Sequence, residues 1–316
     1  MKLSIIVPIY YNEDTLEDMY NDLKDKVLTK LDCEYELILV NDGSMDNSYA
    51  VMQKLKQADS NIKTYSLSRN FGSHAAILCG LEHITGDCAV VKAADMQEPS
   101  ELIPEMLESW KQGNNVVLAI RQERQESFKQ KYFANLYYTL VRKTALSNMP
   151  PNGFDIYLID KKVVNVLGSL DEKNSSLVCQ ILWSGFKTGV VPYVRLARTK
   201  GKSRWTLAKK LRLVMDTLFS FSTVPIKAVT TIGIFSFLGA IMWAVIEIVC
   251  YSLGMIHVSG WTTLFIFNLF SFGIIMLTLG ILGEYLWRTF DASRNRPPYI
   301  IEEDDEHTGE WVDEKK

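Results

Sequence analysis

Residues 87–102 read DCAVVKAADMQEPSEL. The stretch opens as a short apolar strand and runs into a polar turn holding Asp95, Gln97 and Glu98, closed by Pro99. Other parts of the chain repeat that form. Strand-like runs stand at LSIIVPI (3–9), YELILV (35–40), IKTYSL (62–67), CAVVKA (88–93) and NVVLAI (115–120). Helical patterns fall between them, at about 13–30, 46–57, 74–84 and 100–111. This alternation predicts an α/β fold with a mostly parallel sheet and helices on both faces. Such sheets bind ligands at the carboxyl ends of their strands. The segments expected there are PIYYNED, NDGSMD, SRNFGSH, AADMQEP and RQER. A DGS turn such as Asp42-Gly43-Ser44 marks any tight turn when taken singly. Five polar segments converging on one edge point to a site.

Charge is nearly balanced, at −3, without the basic excess that a nucleic-acid partner would require. The five cysteines, Cys33, Cys79, Cys88, Cys179 and Cys250, show no CxxC or Cys/His spacing. Their odd number and apolar settings predict reduced core or membrane residues. The N-terminal apolar run meets Pro8 at once, so it reads as a first strand and not as a signal peptide.

Composition changes after residue 225. Ala228 to Ile246 and Trp261 to Gly283 carry no charge. Each run is long enough, at ~1.5 Å per residue, to cross a hydrocarbon core of ~30 Å. A pair of helices buried in a large soluble core is the alternative. Glu247 and Glu284 lie at the ends of the runs. Cations flank the pair: Lys200, Lys202, Arg204, Lys209, Lys210, Arg212 and Lys227 before it, and Arg288, Arg294 and Arg296 after it. The intervening loop has only His257, so the positive-inside rule places both flanks in the cytosol. Within 205–222, Leu207, Leu211, Val214, Met215, Leu218 and Ser222 share one helical stripe, with Lys209, Lys210 and Arg212 off it. The stripe fits a helix lying in the membrane interface, or a surface helix packed on the domain.

The segments VPIYYNED, VNDGSMDNS, LSRNFG, AADMQEP and RTKGKSRW, followed by two apolar runs, resemble the polyprenyl-phosphate glycosyltransferases of glycosyltransferase family 2. That group includes dolichol-phosphate mannose synthases and bactoprenol glucosyltransferases. The resemblance runs to about residue 300. It implies a cytosolic GT-A nucleotide-sugar domain at 1–204, an interfacial amphipathic helix at 205–225, a two-helix transmembrane hairpin at 226–290 and a cytosolic acidic tail at 291–316, of which 302–316 looks disordered. It implies a multi-pass protein of the plasma (inner) membrane with both termini cytoplasmic. The implied reaction is an inverting transfer from a nucleoside diphosphate sugar to polyprenyl (undecaprenyl) phosphate, the base being uracil by likeness to the bacterial branch, with guanine the alternative. Self-association in the bilayer stays open.

By the same resemblance, Pro8, Tyr10, Glu13 and Asp42 line the base and ribose pocket, with Ala94 beside the donor. The family usually has D-x-D-x-Q where this chain has Ala93-Ala94-Asp95-Met96-Gln97. Asp95 and Gln97 then map onto ligands of Mg²⁺ or Mn²⁺, and Ala93 stands where the first Asp is expected. Doubled Tyr10-Tyr11 is one residue longer than the usual motif.

The implied chemistry needs positive charge. The donor diphosphate leaves as an anion, which a divalent cation and basic side chains neutralise. An alternating extended turn would let Asp95 and Gln97 reach one side, while Glu98 begins the next helix with Pro99 and Glu101. A phosphate monoester acceptor has a second pKa near ~6 and needs a cationic cradle, not a general base. Arg121 and Arg198 match family positions for that role, with Asp95 acting beside them. Arg124 and Lys131 add to the cradle or form a solvated basic face, and Lys202 and Arg204 bind the acceptor or are drawn to lipid head groups. Asp155 meets a sugar hydroxyl or serves as a structural partner. His74, after the RNFG turn, touches the donor or simply occupies a helix start, and His83 is structural. Two other readings compete. A processive polysaccharide synthase lacks support, because SRW at 203–205 has no glutamine at Q-x-x-R-W spacing. A non-catalytic nucleotide-sugar-binding scaffold rests on Ala93.

Overall fold

The structure is a computed structural model that describes residues 1–122, 128–170, 172, 175–196, 207–254 and 260–303, excepting the side chains of 128–133, 207–212 and 261–263. The described strands are β1 (Lys2–Ile9), β2 (Glu34–Asn41), β3 (Ile62–Leu67), β4 (Cys88–Val91), β5 (Val116–Arg121), β6 (Phe154–Asp160), β7 (Thr188–Tyr193) and β8 (Ile301–Glu303). The helices are α1 (Leu16–Lys26), α2 (Ser48–Ala58), α3 (Ser73–Glu82), α4 (Leu102–Lys111), α5 (Phe128–Thr144), α6 (Lys161–Ser169), α7 (Leu177–Trp183), α8 (Leu207–Phe221), α9 (Val224–Ser252) and α10 (Trp261–Ser293).

One sheet runs in the order β7-β5-β6-β4-β1-β2-β3-β8. Strands β3, β2, β1 and β4 are parallel neighbours. Strand β6 lies antiparallel between β4 and β5, and β7 is parallel to β5. The expected mostly parallel sheet is therefore present. The antiparallel β6 matters for the site, because its first residues reach the edge where its neighbours end.

The apolar runs form strands because both faces of the sheet are covered. Along β1, Leu3, Ile5, Val7 and Ile9 enter the core beneath α1, α2 and α4, while Ile6 enters a second core with α3, α6 and α7. This is the two-residue alternation of a strand. Helix α1 buries Leu16, Met19, Tyr20 and Leu23, and its acidic first turn and basic last turn suit the helix dipole. Each such aliphatic side chain contributes about 1.5–3 kcal/mol on full burial. Helix α3 lies so close to β1 that a Cβ at Gly80 would stand 2.5 Å from an Ile6 methyl. The cysteines are unpaired, and Cys79, Cys88 and Cys179 are buried, as expected of reduced core residues.

Helices α9 and α10 contain stretches long and apolar enough to cross a membrane, and none of those stretches is buried within the chain. Such helices are not the core of a soluble fold. Helix α8 differs from the expected stripe in its C-terminal half. Thr217 and Phe219, off the stripe, are buried there, while Met215, on it, is exposed. Two partners cause this. Tyr137 of α5 lies 3.1 Å from the Thr217 hydroxyl, and Arg288 of α10 donates to Asp216 at 2.7 Å. Arg288 also pairs with Glu284 and lies over the Phe219 ring. Its charge is thus met by protein carboxylates.

The C-terminal segment also departs from expectation. Ile301–Glu303 form β8 on the edge of β3, where a solvated tail is expected from 302. Tyr299 is buried and its hydroxyl donates to Glu82, and the Ser68 N–H donates to the Ile300 carbonyl. The chain leaving α10 therefore returns to the sheet.

Candidate active site

Two groups of loops meet the carboxyl edge. The first follows β1, β2 and β3. Tyr11 has a φ of 56°, and its N–H donates to the Ser44 hydroxyl. The Tyr10 and Tyr11 rings stand edge to face with centroids 4.7 Å apart. The Glu13 carboxylate accepts from the Asn47 N–H at 2.9 Å, so it closes the turn before α2. The carboxylate of Asp42 is buried and accepts from the Phe71 N–H at 2.7 Å, the Gly72 N–H at 3.0 Å and the Asn70 amide at 2.9 Å. Asp42 thereby welds the NDGS turn to the RNFG turn. Gly43 is needed at this joint: it has φ 64°, and a Cβ there would stand 2.4 Å from the Arg69 carbonyl carbon. Pro8 is half-buried within β1. Ala94 turns its methyl into the core, which leaves its backbone as the part able to face a ligand.

The second group follows β4, β5 and β7 and precedes β6. Strand β4 ends at Val91, short of the expected 93, because the Ala93 N–H donates to the Glu98 carboxylate at 3.0 Å and not to a strand. Glu98 does not begin the next helix as expected. It is buried, and α4 starts at Leu102. Burial pushes the Glu98 carboxyl up to about 7, with the Lys92 ammonium pulling the other way. Lys92 is buried too and donates to the Glu98 carbonyl at 2.8 Å; burial lowers its ammonium pKa. The turn is not extended either. Met96 has φ 57°, its side chain packs on the core, and the Gln97 N–H donates to Asp95 Oδ1 at 3.2 Å. This Asx-type turn replaces the predicted alternation.

At the end of β5, the Arg121 guanidinium is buried and bonds Asp155 Oδ2 through Nε at 2.5 Å and through Nη2. The Tyr193 hydroxyl donates to the same oxygen at 3.0 Å. Burial alone would lower the Arg121 pKa, and the Asp155 carboxylate beside it more than reverses that. Of the two roles open to Asp155, the geometry supplies the structural partner. After β7, Arg195 Nη2 donates to Gln97 Oε1 at 2.6 Å, and the Leu196 N–H donates to the Gln97 carbonyl at 2.9 Å. Asp155 and Asp95 both lie within electrostatic reach of Glu98. The turn, the Arg121–Asp155 pair and Arg195 form one cluster.

Arg124, Arg198, Lys202 and Arg204 lie outside the described residues, as does the side chain of Lys131. His74 accepts from the Leu177 N–H at 3.3 Å, and burial lowers its pKa to about 4, which makes it a neutral structural link. His83 stacks on Tyr65 and bonds the Cys79 carbonyl. Lys92, Tyr193 and Arg195 were missed from sequence. A signal existed for Arg195, since it is the first cation after the apolar run VVPYV at 190–194.

The resemblance implies a divalent cation at this turn. Among the described residues no three His, Cys, Asp or Glu side chains are grouped to hold a metal. Asp95 and Gln97 offer hard oxygen donors at one turn, which suits Mg²⁺ or Mn²⁺ when phosphate oxygens and water complete the shell. The residues fit a cation that arrives with a phosphate ligand.

Residues 4–168 match the family described as Glycosyl transferase family 2. A relative from Bacillus subtilis (strain 168), called an uncharacterized glycosyltransferase, YkcC, is 36% identical over 96% of this chain and 94% of its own. The bactoprenol glucosyl transferase of Shigella phage SfV is 33% identical over 95% of this chain and 98% of its own. Among solved structures, glucosyl-3-phosphoglycerate synthase from Mycobacterium tuberculosis aligns with TM-score 0.49 and 16% identity, over 69% of this chain and 79% of that one. With a mostly parallel sheet whose polar loops gather at the carboxyl edge, the chain belongs to glycosyltransferase family 2.

Proposed function

We propose that this protein is a membrane-bound inverting glycosyltransferase that moves a sugar from a nucleoside diphosphate sugar, a UDP-sugar, to polyprenyl phosphate on the cytosolic face, for modification of cell-envelope glycans. The observation that carries the proposal is the cluster at the carboxyl edge. Gln97 meets Arg195 there, and Asp95 and the Arg121-bound Asp155 both lie within electrostatic reach of Glu98, in a chain that also holds two exposed apolar helices. The likeness to bactoprenol glucosyl transferases over nearly the whole chain supports a polyprenyl phosphate acceptor. The flanking cations support a cytosolic domain.

In this reading the loops after β1 and β2 hold the base and ribose, with Pro8, Tyr10, Glu13 and Asp42 lining or shaping that pocket. Asp95 and Gln97 hold Mg²⁺ or Mn²⁺, which when bound neutralises the leaving diphosphate. Arg121 presents a fixed cationic fork whose position Asp155 and Tyr193 set. Arg198 joins Arg121 at the acceptor phosphate, with Arg124, Lys131 and Lys202 lending positive charge. The acceptor is already anionic at neutral pH and attacks without a protein base.

A second reading has one observation in its favour. Ala93 removes a carboxylate, and no acidic trio is grouped for a metal among the described residues. That favours a scaffold that binds nucleotide sugar without turnover. Incubating the detergent-purified chain with undecaprenyl phosphate and a panel of radiolabelled UDP- and GDP-sugars decides between them. A lipid-linked labelled product that Asp95→Ala abolishes supports the transferase. Donor binding without product from any sugar supports the scaffold.

A further inference from the structure

Arg195 stands in an unusual position for a cation. Its Nη2 donates to the amide oxygen of Gln97 at 2.6 Å. Its Nε is buried and has no hydrogen-bond partner, and no carboxylate pairs with it among the described residues. A guanidinium offers five N–H donors in a planar fork shaped for oxyanions. A neutral amide oxygen is a poor substitute, and an idle buried N–H is costly. The residue is nevertheless held in place by its backbone. The Leu196 N–H donates to the Gln97 carbonyl, and the Gln97 amide nitrogen lies 3.5 Å from the Leu196 carbonyl. This two-way tie survives any change of the Arg195 side chain.

The partner of Arg195 adds a conflict. Gln97 Oε1 is the oxygen assigned to the divalent cation. A guanidinium and a divalent cation on one oxygen would repel strongly at such short range. Both can stay at the turn once an anion lies between them. We propose that Arg195 is a phosphate-binding residue of this site, resting on Gln97 when no ligand is bound, and that a phosphate oxyanion draws its guanidinium off Gln97 Oε1 and frees that oxygen for the cation. The inference rests on the glycosyltransferase reading above. It makes the cation and the phosphate bind as a pair, with Arg195 penalising the cation alone. The phosphate can belong to the donor diphosphate or to the lipid acceptor, and the test separates them.

Calorimetry on the full-length chain in detergent supplies the test, with three titrations: Mn²⁺ alone, UDP in saturating Mn²⁺, and farnesyl phosphate in saturating Mn²⁺. Arg195→Met is expected to tighten Mn²⁺ alone by about threefold or more, through relief of the charge conflict. The same variant is expected to weaken UDP by about ten- to a hundredfold, the loss of a charge-assisted bond. Arg195→Lys keeps the charge and loses the fork, so it should hold Mn²⁺ alone near the wild-type value and still weaken UDP. Should Arg195→Met fail to fold, Arg195→Lys carries the UDP comparison. Weakening of farnesyl phosphate with UDP unchanged supports the oxyanion role and assigns it to the acceptor. Weaker binding of Mn²⁺, UDP and farnesyl phosphate alike in Arg195→Met indicates a structural role and overturns the inference. Wild-type affinity for both UDP and farnesyl phosphate in both variants overturns this inference alone. A wild-type chain that binds neither UDP nor farnesyl phosphate overturns the function proposed above and this inference with it.

Discussion

The Glu98 carboxylate folds back 3.0 Å onto the backbone N–H of Ala93, closing from behind the turn that presents Asp95 and Gln97. The bond takes Ala93 out of β4 and fixes where the strand ends. Lys92, buried on the same side, holds the Glu98 carbonyl. A hidden cation and a hidden carboxyl thus brace the turn from inside the domain.

That brace has a pH signature. Burial puts the folded pKa of Glu98 at about 7, against 4.5 for the ordinary group. Below 4.5 both folded and unfolded chains hold the proton. Between there and about 7 the unfolded chain releases it first, so stability falls as pH rises through this window. The fall is about 1.4 kcal/mol per pH unit and about 3 kcal/mol at most. Glu98→Gln keeps an oxygen for the Ala93 N–H and removes the titration. Thermal unfolding in detergent across the window should show wild type losing stability relative to Glu98→Gln. Parallel profiles would refute the assignment.

The Arg121–Asp155–Tyr193 unit predicts non-additive kinetics. Arg121→Lys loses the two-pronged bond and should lower kcat/KM by about a hundredfold. Asp155→Asn leaves Arg121 charged but loosely held, and about tenfold is expected. If Asp155 works through Arg121, the double variant should be little worse than Arg121→Lys alone. Effects that multiply would mean that Asp155 contacts substrate by itself.

The parallel half of the sheet and the turn at Asp95 were legible because central parallel strands are apolar on both faces, so their ends show as abrupt polar turns. The remainder depended on long-range partners. FDIYLID reads as a strand, but its antiparallel entry between β4 and β5 is set by neighbours far away in sequence. Strand β7 is a terminal strand with a glycine and a proline among its six residues, TGVVPY, so in isolation it reads as a turn. Strand β8 has three residues, and only β3 makes it a strand. Asp42 was read as a pocket residue, yet its carboxylate is taken up by the RNFG turn, about thirty residues away in sequence. Glu98 was read from its place before a helix, whereas its backward reach to Ala93 decides its environment.

A second buried carboxylate, at the opposite edge of the sheet, predicts the reverse pH slope. Glu36, 1% exposed, accepts from the Ser4 hydroxyl and from the Thr85 N–H and hydroxyl, and pairs with Lys63 at 2.9 Å. Burial alone would raise its pKa; these bonds outweigh burial and hold it at about 2. Its stabilising effect is complete above the ordinary value of 4.5 and is lost as pH falls towards 2. Glu36→Ala leaves those donors orphaned and should cost about 3 kcal/mol at neutral pH. Thermal unfolding should show the loss shrinking in acid. Sugar transfer at low temperature should be retained, because the residue lies at the amino edge.

Ala93 is the last point at which the turn can be tested by addition. The residue is half-buried, and Asp95, Glu98 and Lys92 surround it in sequence and through the hydrogen bonds of the turn. Ala93→Asp introduces a further carboxylate among two existing ones. Without a cation it should destabilise the chain by about 1 kcal/mol, since like charges disfavour one another at short range. With a cation the sign reverses, because an additional hard oxygen ligand strengthens the site. The Mn²⁺ concentration for half-maximal transfer should fall by about tenfold, and Mn²⁺ should restore the lost thermal stability. A variant destabilised to the same extent with and without Mn²⁺ would show that position 93 faces the Lys92–Glu98 brace and not the cation.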